Sequence, residues 1–324
     1  MKKNCKINFI GFWAGFNKNK NFFTDVLEKH FHIEISDSPD YIFCSVLGAP
    51  YEECNYDGIR IHFNGENYTP DFNIHDYGIS YNDLTLGDRH LQYPLYLIYF
   101  KPLLLAPKKH LNIDENILKN KPYFCNFIYG VSREYRDKAF DMINTYKTVM
   151  SPGIAKNNLP NHPIIKTQDE KLEFQNKCKF TIAFDSTEEP DFVTEKILHA
   201  FASGTIPIYF GDPNIGKHFN KKAFIDVADY NFDLDKVLER IIEIDQNDEL
   251  YLSILKEPAF NDENYIATKQ KEFEDFLVHI FSQDTEKAYR RSSIAAPKNH
   301  NERLKEYNKL YKSKLHRLVK KIIN

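Results

Sequence analysis

The sequence predicts an α/β protein made of two Rossmann-like domains that face each other across a cleft, with a helical C-terminal end. Three observations carry this. Short apolar runs alternate with amphipathic segments in both halves of the chain, the connections between them are short, and beyond residue 234 the pattern becomes helical throughout. A length of 324 residues suits about two domains. Hydrophobic residues make up 42%, enough for real cores and too many for wholesale disorder.

The N-terminal third opens with a strand at 6–12, ending in a loop that carries Gly11 and Gly15. Residues 21–31 form a helix, because Phe22, Phe23, Val26, Leu27 and Phe31 share one face. A short strand follows at 32–35. The nearly continuous apolar run 41–47 suits a buried parallel strand. A strand at 58–63 leads into Asn64-Gly65-Glu66-Asn67, and another follows at 77–81. Residues 83–121 hold Asp88-Arg89, an aromatic run and a Pro/Lys/Asn-rich stretch, and read as a rim and connection.

A second series begins near Tyr123. It reads as strand 124–131, helix 134–145 and strand 147–150, then a Pro/Asn/Gly-rich mobile loop at 151–168. Next come helix 171–178, buried strand 180–185, a polar loop, and helix 194–202 stopped at Gly204. Strands at 205–210 and 223–227 precede helices at 234–244, 249–256 and 270–281. The domains drawn from this pattern are 1–120, 121–285 and a basic amphipathic tail, 286–324.

Charge is unevenly spread. Residues 301–324 carry a local balance of +6 within a net charge of -3, so the body is acidic and does not suggest a nucleic-acid binder. Leu304, Tyr307, Tyr311, Leu315, Leu318 and Ile322 recur at helical spacing in that tail. Its pattern suits an anionic membrane surface first, or else a helix packed on the protein or paired with another copy. Five scattered cysteines, none at zinc-ligand spacing, read as reduced thiols in a cytoplasmic protein. The start of the chain reads as a strand rather than a signal peptide, and no stretch reaches the ~18 apolar residues of a membrane span.

The chemistry concentrates where a strand and polar loop meet Val193-Thr194-Glu195-Lys196-Ile197 at a helix start. Free N–H groups and the helix dipole favour an anion there. Thr194 suits the N-cap, Lys196 can meet a diphosphate, and Glu195 can accept from ribose hydroxyls. Other patterns read as structural. Asp233-Leu234-Asp235 falls at a helix start, where acids cap, and His30 and His32 lack a third ligand. The Walker, HExxH and GxSxG motifs are absent.

Residues 180–185, Asp191-Phe192-Val193-Thr194-Glu195-Lys196-Ile197, Gly204-Thr205-Ile206-Pro207-Ile208-Tyr209-Phe210-Gly211 and Lys217-His218-Phe219-Asn220 resemble the donor-binding region of the bacterial α1,3/4-fucosyltransferases. So do Phe63-Asn64-Gly65-Glu66-Asn67, Pro70-Asp71-Phe72-Asn73, Asp76-Tyr77, Asp88-Arg89 and Pro94-Leu95-Tyr96, on the acceptor side. The resemblance implies an inverting enzyme of GT-B architecture that takes GDP-fucose and needs no further cofactor or metal. It implies Glu66 as general base and Asn67, Asp88 and Arg89 on the acceptor side. Arg136, Thr194, Glu195, Lys196, Phe192 and Ser186 would line the donor pocket, with Arg133 one turn from the diphosphate-gripping Arg136. Relatives acting on lipopolysaccharide or lipid-linked glycans imply a peripheral place on the inner face of the cytoplasmic membrane.

Four positions depart from the family pattern. Asp185-Ser186 replaces Glu-Asn, Phe192 replaces a Tyr, and Tyr68 replaces a second acidic residue. The expected reaction moves L-fucose to a GlcNAc- or glucose-type acceptor in an α1,3 or α1,4 link. Glu66 would take the proton while Arg136 and Lys196 stabilise the leaving diphosphate. A transferase using another nucleotide sugar, and a non-catalytic glycan-binding protein on the same fold, stay open as alternatives.

Overall fold

A computed structural model of the chain describes residues 2–313, apart from 112 and 114. The chain divides into two compact units, Met1–Leu95 with Thr268–Asn324, and Tyr96–Ala267. These limits differ from the contiguous domains drawn at 120 and 285. Residues that return from the end of the chain complete the first unit, a pairing that local sequence pattern does not encode.

The first unit starts with β1 (Asn4–Ile10), α1 (Phe22–His30), β2 (His32–Ile35), β3 (Tyr41–Cys44), β4 (Ile59–Phe63), β5 (Tyr77–Ser80) and β6 (His90–Gln92). They form one parallel sheet in the order β2-β1-β3-β4-β5-β6. The three-residue β6 lacked the apolar run that marked the others. Asn21 and Thr24 close a capping box at the start of α1. Phe9 stacks on Phe43 with centroids 5.0 Å apart, and Phe23 of α1 packs on Phe43 and Phe63 at 4.4 and 5.4 Å. Most phenylalanines at the strand–helix interface thus serve the core.

In the second unit, α2 (Phe100–Leu105) precedes β7 (Tyr123–Asn126), α3 (Glu134–Asn144), β8 (Val149–Met150), α4 (Gln168–Asn176) and β9 (Cys178–Phe184). Then follow α5 (Glu195–Ala202), β10 (Ile206–Phe210), β11 (Ile225–Asp226), α6 (Leu234–Asp245) and α7 (Asp248–Lys256). The sheet order is β11-β10-β9-β7-β8, again all parallel. The α2 helix, unmarked in the sequence, lies against α5. The expected mobile loop before α4 is tied down by side chains. Asn158 receives the Ser151 N–H at 2.8 Å and donates to the Val149 carbonyl at 2.8 Å.

The chain closes with α8 (Tyr265–Ser282), α9 (Thr285–Ala288) and α10 (Ala295–Lys312). Phe273 packs on Phe23 at 5.7 Å and Phe281 stacks on Tyr41 at 4.1 Å, which fastens this segment to the first sheet. Arg291 forms a buried ion pair with Asp76 and donates to the Asp57 and Gly58 carbonyls. The part of the basic tail within α10 packs on the first unit. Asn308 is buried, donates to the Pro50 carbonyl at 2.8 Å and accepts from Asn55 at 3.0 Å. Asn301 accepts from Arg60, and Lys312 pairs with Glu52 at 2.7 Å. The packed-helix reading therefore holds for residues up to 312, while Leu315, Leu318 and Ile322 lie outside the described residues. Among the described residues no helix is long and apolar enough to cross a membrane. All five cysteines are buried and free.

Candidate active site

In the second sheet the strand order reverses between β7 and β9: β8 lies on one side of β7 and β9 on the other. Parallel sheets open a crevice at such a point, outside the carboxyl ends of the strands. The loops after β7 and β9 start there and end at α3 and α5.

Tyr129 builds the floor of that crevice. Its hydroxyl donates to the Ile182 carbonyl at 2.7 Å and accepts the Phe184 N–H at 2.7 Å. The Arg136 guanidinium lies 4.2 Å from the Tyr129 ring centroid. It donates to the carbonyls of Val131 and Phe184, and its Nε is buried without a partner among the described residues. Arg133 instead stands exposed at the N-cap of α3. The two arginines differ in helix face: Arg136 shares the buried side with Ala139 and Phe140.

The second loop runs from β9 to α5 and is organised by Asp185. This buried carboxylate accepts from the Thr194 hydroxyl, and from the Tyr209 hydroxyl at 3.2 Å. Tyr209 in turn accepts the Asp212 N–H at 2.8 Å, and Asp212 accepts the Asp191 N–H at 2.8 Å. Asp191 is held in the left-handed region, with φ 62°. A Cβ on Gly211 would come within 2.5 Å of the Tyr209 Oη and 2.9 Å of the Asp185 Oδ2, so only glycine fits beside the network. Burial pushes Asp212 up to about 6. It also raises Asp185, against the pull of Lys196 and Thr194.

Thr194 occupies the N-cap of α5 with extended backbone, as expected, but its side chain makes no capping hydrogen bond. The hydroxyl is turned to Asp185 instead. The N-terminus of α5 is therefore not capped by its N-cap side chain. Lys196 donates to the Thr194 Oγ1 at 2.9 Å and lies 3.6 Å from the Asp185 Oδ1.

Glu195 lies between two lysines, 3.8 Å from Lys196 and 4.0 Å from Lys171. Its burial raises the carboxyl, but Lys196, then Lys171, outweigh this and hold it at about 2. Lys171, on α4, was missed in the sequence because its partners are distant along the chain. Burial lowers it to about 8; Glu195 opposes this and Lys196 adds to it. His199, one turn further along α5, is also buried, and neither ring nitrogen has a hydrogen-bond partner among the described residues. Burial brings it down to about 3. Arg136, Lys171 and Lys196 thus gather positive charge at one strand edge, with Glu195 and Asp185 fixing its geometry.

Of the remaining donor-side candidates, Ser186 is exposed at the start of the β9–α5 loop. Phe192 is buried, so its ring packs in the protein and does not line a surface. Asp233 caps α6 by accepting from the Asp235 and Lys236 N–H groups, as expected of a structural acid.

In the first unit, Glu66 leaves the carboxyl end of β4 on a loop shaped by Asn64. The buried Asn64 amide accepts the Glu66 N–H at 2.8 Å and donates to the carbonyls of Glu66 and Tyr68. Gly65 is required because a Cβ there would meet the Leu95 Cδ1 at 2.5 Å. The Glu66 side chain is exposed and makes no hydrogen bond or ion pair among the described residues. Asn67, beside it, accepts from the Tyr81 hydroxyl at 2.6 Å.

Asp88 and Arg89 are engaged elsewhere. Arg89 donates to the carbonyls of Phe72, His75 and Asp76. Asp88 pairs with Arg290 and with His279 at 2.9 Å, and the Arg290 hydrogen bond brings it down to about 2. Both tie loops of the first unit to each other or to the returning C-terminal segment. Sequence proximity to the matched motif did not distinguish anchoring from ligand contact.

Comparison with known proteins adds a family context. Residues 7–99 match the model for the alpha-(1,3)-fucosyltransferase FucT N-terminal domain. Residues 121–278 match that for glycosyltransferase family 10 (fucosyltransferase), C-terminal part. Alpha-(1,3)-fucosyltransferase FucT of Helicobacter pylori is 28% identical over 288 residues, covering 77% of this chain and 59% of that protein. The human 4-galactosyl-N-acetylglucosaminide 3-alpha-L-fucosyltransferase 9 is 38% identical over 80 residues, covering 24% of this chain and 21% of its own length. The chain therefore spans less than two thirds of the length of either relative. A crystal structure of an alpha1,3-fucosyltransferase with GDP-fucose superposes with a TM-score of 0.68 at 23% identity, over 86% of this chain and 91% of that one. That likeness bears out the two-sheet α/β fold of GT-B type.

Proposed function

We propose, since the chain belongs to the family 10 glycosyltransferases (the fucosyltransferases), that it transfers L-fucose from GDP-fucose to a hydroxyl of a GlcNAc- or glucose-type glycan, in an α1,3 or α1,4 link. The observation that carries this reading is the cluster of Arg136, Lys171 and Lys196 around the uncapped start of α5, at the switch point of the second sheet. A nucleoside diphosphate is the anion such a cluster suits. Glu195 would accept hydrogen bonds from ribose hydroxyls, its charge secured by the two lysines.

The chemistry follows from charge. An acceptor oxygen attacks the anomeric carbon as the bond from that carbon to the diphosphate breaks, with inversion. Glu66 takes the hydroxyl proton; its unpartnered, exposed carboxylate is available as a base. The bond electrons pass to the diphosphate, where Arg136, Lys196, Lys171 and the α5 N–H groups stabilise the growing charge. Asn64 keeps Glu66 in place, and Asp185 keeps Thr194 and Lys196 in place. Asp88 and Arg89 hold the acceptor-side loops through protein contacts.

Titration calorimetry with GDP, GDP-fucose, GDP-mannose and UDP-sugars tests the donor. GDP-fucose should bind best, and product analysis with β-galactosyl-GlcNAc should show one added fucose with inverted anomeric configuration. Tighter binding of another nucleotide sugar, with its turnover, would replace fucose in this reading.

A further inference from the structure

Trp13 is the only tryptophan in the chain, and it stands 41% exposed in the loop after β1. Tryptophan is highly buried on average, so an exposed indole calls for a reason. Its support is rigid. Phe12 and Phe16 stack with centroids 4.3 Å apart, and the indole meets them at 5.8 and 5.0 Å. Both angles are steep, 61° and 86°, so neither ring lies flat against the indole.

The loop itself is fixed. Gly11 adopts φ 70° and packs so closely on the Ser45 carbonyl that no Cβ fits, and its own carbonyl accepts the Leu47 N–H at 2.8 Å. The Phe16 N–H closes a turn on the Trp13 carbonyl at 3.1 Å. Phe12 lies parallel to Phe63, with centroids 6.1 Å apart and planes 4° apart. Phe63 ends β4, and Asn64-Gly65-Glu66 leaves directly from it. Strands β1 and β4 are parallel members of one sheet, so their carboxyl ends share an edge. With only β3 between the two strands, the loops that carry the exposed Trp13 and the exposed Glu66 leave the same end of the sheet, and Phe12 and Phe63 join them at their bases.

We propose that Trp13 is the platform on which a pyranose ring of the acceptor glycan stacks, with its C–H face on the indole and its hydroxyl edge towards Glu66. This rests on the reading of Glu66 as the base of a glycosyl transfer. A pyranose has one apolar face and a polar rim, which matches a single exposed indole, backed by Phe12 and Phe16, on a loop that continues into polar residues. The Trp13 loop continues as Asn17, Lys18 and Asn19, and the loop after Phe63 carries the exposed Glu66 and Asn67. A lipid or protein partner would call for a broad contiguous apolar patch instead.

The single tryptophan makes the test direct, because its emission reports on Trp13 alone. The full chain is titrated with millimolar β-galactosyl-GlcNAc and lactose, with and without GDP. A saturable change in tryptophan emission is expected with at least one saccharide. Trp13→Ala should raise the acceptor KM about tenfold, with the GDP-fucose KM moving by less than about twofold. Trp13→Phe should retain most of the acceptor affinity, and Trp13→Leu should behave like the alanine variant. Flat emission with both saccharides overturns the proposal, as does an unchanged acceptor KM in Trp13→Ala or an equal rise in both KM values. If neither donor hydrolysis nor transfer occurs, the functional reading fails, and the emission titration still decides whether sugar stacks on Trp13.

Discussion

Thr194 gives its hydroxyl hydrogen to Asp185, nine residues earlier, instead of capping the helix it precedes. Two consequences follow. The start of α5 stays open to an anion, and the Thr194 oxygen becomes an acceptor for the Lys196 ammonium. Asp185, one of the residues that depart from the family pattern, thus shapes the candidate donor site from beneath.

Asp185→Ala should leave the buried Thr194 and Tyr209 hydroxyls without their acceptor, costing about 1–3 kcal/mol of stability. Urea denaturation measures this. Gly211→Ala should disturb the same network from the other side, by about 1–3 kcal/mol, because its Cβ has no room beside Tyr209. Both should weaken GDP binding by calorimetry; unchanged GDP affinity would separate the network from the donor site.

Glu66→Gln should lower kcat by about a hundredfold to ten-thousandfold while GDP-fucose binding is retained. The residue is exposed, so stability should stay within about 0.5 kcal/mol. Steady-state kinetics beside calorimetry tests the split. A fully active variant would rule out this carboxylate as the base.

Lys171 adds a pH dependence to donor binding. Burial places it at about 8, so its charge is present below that pH and lost above it. GDP affinity should therefore fall as pH rises from 7 to 9. Lys171→Met should bind GDP more weakly at pH 7, by about tenfold, and should show a flatter profile. Calorimetry across that window gives both slopes.

His199 sets part of the acid limit of stability. Its folded value of about 3 lies below its ordinary value of 6.5, so the unfolded chain binds more protons between the two. Stability should be full above 6.5 and fall as pH drops towards 3. His199→Phe should flatten that limb in thermal melts between pH 6.5 and 4, provided that the ring packs against Tyr99 as the imidazole does.

Much of the site could be read along the chain because the contacts are local. Glu66 follows its strand directly, and Thr194, Glu195 and Lys196 open one helix, so strand, loop and helix signals placed them at strand ends. Arg136 needed the helix phase as well, since only its buried face distinguishes it from Arg133. Lys171 and the role of Asp185 were hidden, because each depends on partners from other strands and helices. The protein partners of Asp88 and Arg89, namely Arg290, His279 and three backbone carbonyls, were likewise out of view in the sequence.

By itself, the sequence determined the α/β alternation, the parallel strands and the two motif loops. Periodicity, turn chemistry and charge act over a few residues, which is the range a linear pattern encodes. The tertiary structure decided that 268–313 completes the first unit, that α10 buries Asn308 against Pro50 and Asn55, and that Thr194 serves Asp185 rather than α5. Those outcomes depend on which buried polar groups find partners across long stretches of chain, and burial is fixed only once the whole fold has closed around them.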